Sequence, residues 1–189
     1  MSQDEQRLRS VPWCRQILDD PNFTHFPFGS RKPKPFYEDA LFSQTLKTAD
    51  TVSAAVCMYR KSAGSGAHRN EVRALITLGN LLDGIPHVCH GGMVATILDE
   101  VMGMLFEINQ SLGAQRESPS GDFTVTAYLN TSYLKPVATP QTVLVTSRLK
   151  EIKGRKRFVD ADIKDADGNV LAKGDALFIA SASNSEAKL

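Results

Sequence analysis

His90 to Gly103, HGGMVATILDEVMG, decides how the chain folds. It opens a long apolar segment, Gly91 to Ile108, in which Val94, Ile97, Leu98, Val101, Leu105 and Ile108 recur at helical spacing as one stripe. Met93, Met102, Met104 and Phe106 carry the apolar character round the cylinder. A helix apolar nearly all round belongs in the interior of a domain.

The flanks read as strands. Upstream, Thr51 to Arg60 ends at the loop Ser62 to Gly66, and Glu71 to Leu78 is followed by a Gly/Pro/His loop from Gly79 to His90. Downstream, a polar loop runs to Gly121. Phe123, Val125, Ala127, Leu129, Thr131 and Tyr133 then alternate with Thr124, Thr126, Tyr128, Asn130 and Ser132, a period of two. Thr142 to Glu151 and Arg157 to Lys164 are joined at Lys153-Gly154, and Asp167-Gly168 leads into Val170 to Ala180. This order predicts an α+β fold: one curled antiparallel sheet of about five to six strands wrapped round one long buried helix.

Residues 1 to about 50 read as an extension that wraps the main domain. Pro12 to Asp19 suits a short helix, and Glu38 to Leu46 offers Ala40, Leu41 and Leu46 as a helical apolar side. Between them, prolines at 21, 27, 33 and 35 argue against any regular element from Pro21 to Tyr37. The expected organisation is an extension over 1–50, the main domain over 51–181 and a tail over 182–189.

Composition excludes more than it identifies. The chain has 189 residues, 42% hydrophobic and 23% charged, enough for a real core without disulfide staples. Its net charge of +1 argues against a general nucleic-acid binder. Cys14, Cys57 and Cys89 are odd in number and lack paired spacing, which fits a reducing compartment. No apolar run is long enough to span a membrane. The first residues lack the apolar run of a signal peptide, and Asp4, Glu5, Asp19 and Asp20 are unlike a mitochondrial leader. A cytoplasmic location is the expectation, with mitochondria left open.

Two features of the central helix call for chemistry. Gly91 and Gly92 at its start leave backbone N–H groups unshielded, a site for an anion or a developing oxyanion. A glycine hinge that serves only the turn is the plain alternative. Asp99-Glu100 then interrupts the apolar run, and a buried carboxylate is costly unless paired or used. Asp99 shares a face with Gly92, Ala95, Thr96, Met102 and Gly103, mostly small residues that admit a partner backbone, a second helix or a thin ligand. Glu100 points about 100° away, toward solvent or an interface. Asp99 lies roughly 12 Å along the axis from Gly91, so one helix cannot bring both to one carbonyl. If the two cooperate, they come from two subunits related by a two-fold axis. A third feature is the run Lys150, Lys153, Arg155, Lys156 and Arg157, five positive charges in eight residues, suited to phosphates or to an ordinary solvated turn.

HGGMVATILDEVMG resembles the signature of hotdog-fold acyl-CoA thioesterases, in which an HGG helix start is followed by an Asp nine positions after the His. The likeness continues through VTAYLNTSYLKPV, EIKGRKRFV and GDALFIA, from about Thr51 to Ala180, and is strongest to the thioesterase superfamily member 4 (PaaI-like) group. It implies hydrolysis of an acyl-CoA to a free acid and coenzyme A. Asp99 would be the general base or nucleophile, the Gly91 N–H would hold the oxyanion, His90 would shape the loop, and Thr126 would position the water or the Asp. Coenzyme A would be held near Ser132, Lys135, Arg155 and Lys156. It is part of the substrate, so no resident cofactor or metal is implied. The assembly implied is a homodimer or a dimer of dimers. Three positions depart from the pattern: Gly84 where some relatives have Asn, His87 where close relatives have Gly, and Leu134 where a basic residue is common.

Other readings fit less well. His87, Cys89 and His90 lack the second ligand pair that a zinc site needs. Asp165, Asp167 and Asn169 lack the Gly position and closing Glu of a calcium loop. Gly64-Ser65-Gly66 is neither a nucleophile elbow nor a P-loop. A hydratase-type hotdog enzyme would need a His–carboxylate pair, which the HGG-to-Asp spacing does not supply. A non-catalytic acyl-CoA-binding or regulatory hotdog protein is the alternative from another functional class.

Overall fold

The computed structural model describes residues 1–61, 68–113 and 124–180. The loop Ser62 to Gly66, most of the loop ending at Gly121, Phe123 and the tail 182–189 lie outside the described residues.

Three α-helices are described: α1 (Gln3–Arg9), α2 (Pro12–Leu18) and the central α3 (Gly91–Ser111). The strands are β1 (Phe23–Phe26), β2 (Val52–Arg60), β3 (Glu71–Leu78), β4 (Asp83–Ile85), β5 (Val88–Cys89), β6 (Thr124–Tyr133), β7 (Gln141–Lys153), β8 (Lys156–Lys164) and β9 (Val170–Ala180). Among the described residues, seven strands form one antiparallel sheet in the order β1-β2-β3-β7-β8-β9-β6, while β4 and β5 make a separate small hairpin. The helix α3 packs against β3, β7, β8, β9 and β6, so the sheet curls round it. Every residue of the expected stripe is buried, as are Met102, Met104 and Phe106. No described helix is long and apolar enough to cross a membrane.

The sheet exceeds the expected five to six strands because β1 joins its edge. This corrects the reading of the Pro-rich stretch as free of regular structure. Pro21 and Pro27 bracket Phe23–Phe26 and none falls inside it, and an edge strand pairs on one side only. Glu38 to Leu46 is also shorter than expected, a single wide turn at Leu41–Thr45.

The strand β2 is apolar on both faces, and the reason lies in the extension. Ala55 and Cys57 face the α3 side, whereas Ala54, Val56 and Met58 pack with Leu8, Cys14, Leu18 and Phe23 on the opposite side. Burying Leu8 or Leu18 contributes roughly 1.5–3 kcal/mol each. The anchor between these layers is Arg31, 4% exposed. It pairs with Asp4 at 3.0 Å and donates to the Val52 carbonyl at 3.1 Å. The same Asp4 carboxylate accepts from the Ala55 N–H at 3.1 Å.

A β-bulge changes the face assignments in β6. Thr126 lies opposite Phe178 and Tyr128 opposite Leu177, so Ala127 is the extra residue. Beyond it, Leu129 opposes Ala176 and Thr131 opposes Gly174, both on the helix side. The bulge flips the parity, and Thr126 therefore joins Leu129 and Thr131 on that side instead of Tyr128 and Asn130 on the other. This corrects the strict alternation expected for the strand. As the last strand in the order, β6 has one edge unpaired among the described residues, and Val125, Tyr128 and Tyr133 on it are 49%, 43% and 57% exposed.

Candidate active site

The start of α3 is held from three sides. The His90 N–H donates to the Leu82 carbonyl at 2.7 Å, and the Cys89 N–H to that of Val137 at 2.8 Å. His90 is the N-cap: its Nδ1 accepts from the Gly92 N–H at 3.0 Å, and its carbonyl accepts from Met93 and Val94. Only one of the two glycine donors therefore stays open. The Gly91 N–H has no acceptor among the described residues, while the Gly91 carbonyl accepts from Tyr133 Oη at 3.0 Å.

The departures near this turn have structural causes. His87 adopts φ 64, a left-handed conformation that glycine enters without cost, and its N–H is fixed by Asp83 at 3.0 Å. A Cβ on Gly84 would sit 3.0 Å from His90 Cα, too tight for an Asn without shifting the turn. Cys89 is buried, and that burial, reinforced by Asp83, pushes its thiol up to about 11. At neutral pH it stays protonated and is no nucleophile for His90 to activate.

Asp99 lies two turns along α3. The Thr126 hydroxyl donates to its Oδ1 at 2.8 Å, so the structure brings these two predicted residues together. Both line a cavity of about 290 Å³, with Glu100, Gly103, Glu107 and Gln110 from α3 and Ser30, Lys34 and Asp39 from the extension. Glu100 does not face solvent or an interface as its helical angle suggested, because the extension covers it. Burial drives its carboxyl up to about 7, the neighbouring Ser30 hydroxyl opposes the rise, and the charges of Asp39, Asp99 and Glu107 add to it. Glu107 is also raised, chiefly by burial, against the pull of Lys34.

The raised Glu100 fixes a sign. The folded protein keeps this proton to about pH 7, whereas the unfolded chain releases it near 4.5. Burial of Glu100 costs nothing below that window and its full penalty above it. Glu100→Gln should therefore stabilise the fold by roughly 2–3 kcal/mol at about pH 8, and several-fold less at about pH 5. Denaturant melts of both proteins at the two pH values measure the difference.

The four residues expected to hold coenzyme A divide into two groups. Arg155 and Lys156 sit at the β7–β8 turn, where Lys156 opposes Ile179 and the Arg155 carbonyl accepts from Ala180 at 2.9 Å. Ser132 opposes Lys173, and Lys135 donates to Asn169 Oδ1 at 3.0 Å. Lys173 and Ile179 are six positions apart along β9, roughly 20 Å. One copy of the chain does not bring these groups together, nor Gly91 to Asp99. In the hairpin, Lys153 pairs with Glu151 at 2.9 Å and Lys150 lies 3.8 Å from Asp160. Among the described residues no three His, Cys, Asp or Glu side chains are grouped to hold a metal ion.

Residues 87–172, from the small hairpin through α3 to the start of β9, match the thioesterase superfamily model. The chain is similar to acyl-coenzyme A thioesterase THEM4 of Rattus norvegicus, 37% identical over 99 residues, 52% of this chain and 38% of the rat protein. It is also similar to verlamelin biosynthesis protein B of a Lecanicillium species, 29% identical over 164 residues, 74% of this chain and 71% of that protein. The chain therefore spans well under half of the rat protein. Among solved structures, zebra fish thioesterase superfamily member 2 shares the hotdog fold, with a TM-score of 0.54 at 17% identity, covering 79% of this chain and 90% of that one.

Several residues of the candidate site had no signal in the sequence. Tyr133 reads as one more member of an alternating strand, yet its hydroxyl locks the Gly91 carbonyl. Ser30, Lys34 and Asp39 lie some 60 residues before Asp99, and only the folded extension brings them to it.

Proposed function

We propose that the chain hydrolyses acyl-CoA thioesters at a site shared by two copies, with Asp99 of one copy and Gly91 of the other acting on one carbonyl. The observation that carries this reading is the Asp99–Thr126 pair at the cavity. It is a carboxylate with one oxygen fixed by a hydroxyl and the other without a partner among the described residues. In the proposed reaction Asp99 takes a proton from water as the water oxygen attacks the thioester carbon. The Gly91 N–H receives the charge that develops on the carbonyl oxygen. Collapse of the intermediate breaks the C–S bond, and the coenzyme A thiolate leaves with the free acid. Direct attack by Asp99 through an anhydride uses the same residues. In a single turnover in isotope-labelled water, label in the Asp99 carboxylate identifies an anhydride opened at the Asp99 carbon, a step the general-base route lacks.

The edge of β6 left unpaired among the described residues supports the second copy. If two β6 strands pair antiparallel, the Thr124 end of one meets the Tyr133 end of the other. The Arg155–Lys156 turn of one copy then approaches Ser132 and Lys135 of its neighbour, and the exposed apolar side chains of β6 are covered. The same two-fold axis sets the α3 start of one copy toward Asp99 of the other. Three buried free cysteines suit a reducing compartment, the cytosol or the mitochondrial matrix.

Incubating the purified protein with acyl-CoAs of increasing chain length and a thiol-reactive dye tests the reading. Release of coenzyme A well above background supports it. Tight binding of acyl-CoA without release would replace it with an acyl-CoA-binding role.

A further inference from the structure

The cavity beside Asp99 sets acids that a thioester carbonyl does not require beside the apolar Met104, Phe106 and Phe178. It follows α3 from Asp99 to Gln110, and its opposite wall is Ser30, Lys34 and Asp39. Glu100 and Glu107 both line it; the neighbouring Lys34 is held by Asp39 at 2.6 Å and by Glu38 at 3.2 Å, and Lys32 adds a weaker pull on Glu107. The Ser30 hydroxyl is independent of the acids in origin. Ser30 is 6% exposed and lines the same cavity. Its Oγ lies near enough to Glu100 to ease its ionisation, yet makes no hydrogen bond of normal geometry among the described residues. A buried hydroxyl without a partner costs about 1–3 kcal/mol unless something completes it.

The wall is fixed in advance. The residue after Ser30 is the buried Arg31, pinned by Asp4 and the Val52 carbonyl. The residue before it is Gly29, against which the Glu107 carboxylate rests so closely that a Cβ there would fall 2.0 Å from Oε1. The acids are not grouped to grip a metal ion. A plain alkyl chain in this space would strip water from carboxylates and offer no partner in return.

We infer that the acyl group taken here carries a hydrogen-bond donor, a hydroxyl or an amine, remote from the thioester, and that Glu100, Glu107 and Ser30 receive it. This rests on the thioesterase reading and deepens it. Asp99 to Glu107 spans roughly 12 Å along the helix, which suits a medium-length acyl chain with the donor at or near its end.

Octanoyl-CoA, ω-hydroxyoctanoyl-CoA and ω-aminooctanoyl-CoA test the inference in two ways. In turnover by the wild-type protein, the two polar-ended esters should exceed octanoyl-CoA about tenfold in kcat/KM. In calorimetry on the Asp99→Asn protein, which reads the pocket without turnover, they should bind about tenfold tighter. Equal or weaker binding of the polar-ended esters overturns the inference, whatever the rates. Absence of turnover with all three, but with the binding order kept, overturns only the thioesterase reading. Glu107→Gln should lose the preference for the amine and retain that for the hydroxyl, while Glu107→Leu should lose both. Unchanged preferences in both folded variants overturn the assignment.

Discussion

Asp99→Asn should lower thioester hydrolysis by about 10²–10⁴-fold and leave the fold intact. The amide keeps the size of the carboxylate, and its oxygen still accepts from the Thr126 hydroxyl, now 2.8 Å from Asp99 Oδ1. What it loses is the ability to take a proton or to attack as an anion. A second effect follows from the neighbour. The charge of Asp99 is one of the forces holding Glu100 up near 7, so its removal lets that carboxyl fall. The variant should therefore be at least as stable as wild type above neutral pH, which separates loss of chemistry from loss of structure. Steady-state rates with a thiol-reactive dye, read beside thermal melts, measure both. A folded variant that hydrolyses at the wild-type rate would remove Asp99 from the mechanism.

The parts of this architecture visible in the chain are those governed by local periodicity. The stripe from Val94 to Ile108 and the apolar residues filling its gaps mark α3 as a buried helix because helical geometry repeats every few residues. Asp99 stands out against that stripe for the same reason. The bulge at Ala127 leaves no such trace. Val125 and Ala127 continue the apolar alternation, yet Val125 points outward and Thr126 turns inward to Asp99. The pairing with β9 decides this, and pairing is non-local. The environment of Glu100 is hidden in the same way. Its helical angle suggests solvent, and the folding back of a Pro-rich segment replaces that solvent with Ser30 and Asp39. The strand Phe23–Phe26 escapes a composition rule because its flanking prolines sit just outside the paired residues.

Mixing two inactive variants should restore about a quarter of wild-type activity if the site is shared between copies. The partner variant is Gly91→Pro. It removes the one donor at the helix start that no described residue uses, so no structural hydrogen bond is lost with it. Proline is well tolerated at the first position of a helix. His90, with φ −58 and ψ 134, already holds the extended conformation that a residue before proline prefers. Tyr133 stands 3.5 Å from where the new Cβ would lie, an ordinary contact. Alone, Gly91→Pro should cost about 10²–10³ in kcat through loss of the oxyanion donor. Co-expressed in equal amount with Asp99→Asn, it should form mixed dimers as about half of the total. Each mixed dimer then has one site with both groups intact and one with neither. If Asp99 and Gly91 of the same copy served one carbonyl, every site would lack one group and mixing would recover nothing. That outcome also conflicts with the roughly 12 Å between them along α3. The rate of the co-expressed mixture, compared with the two variants purified separately and combined after folding, therefore reports directly on whether the second copy completes the site.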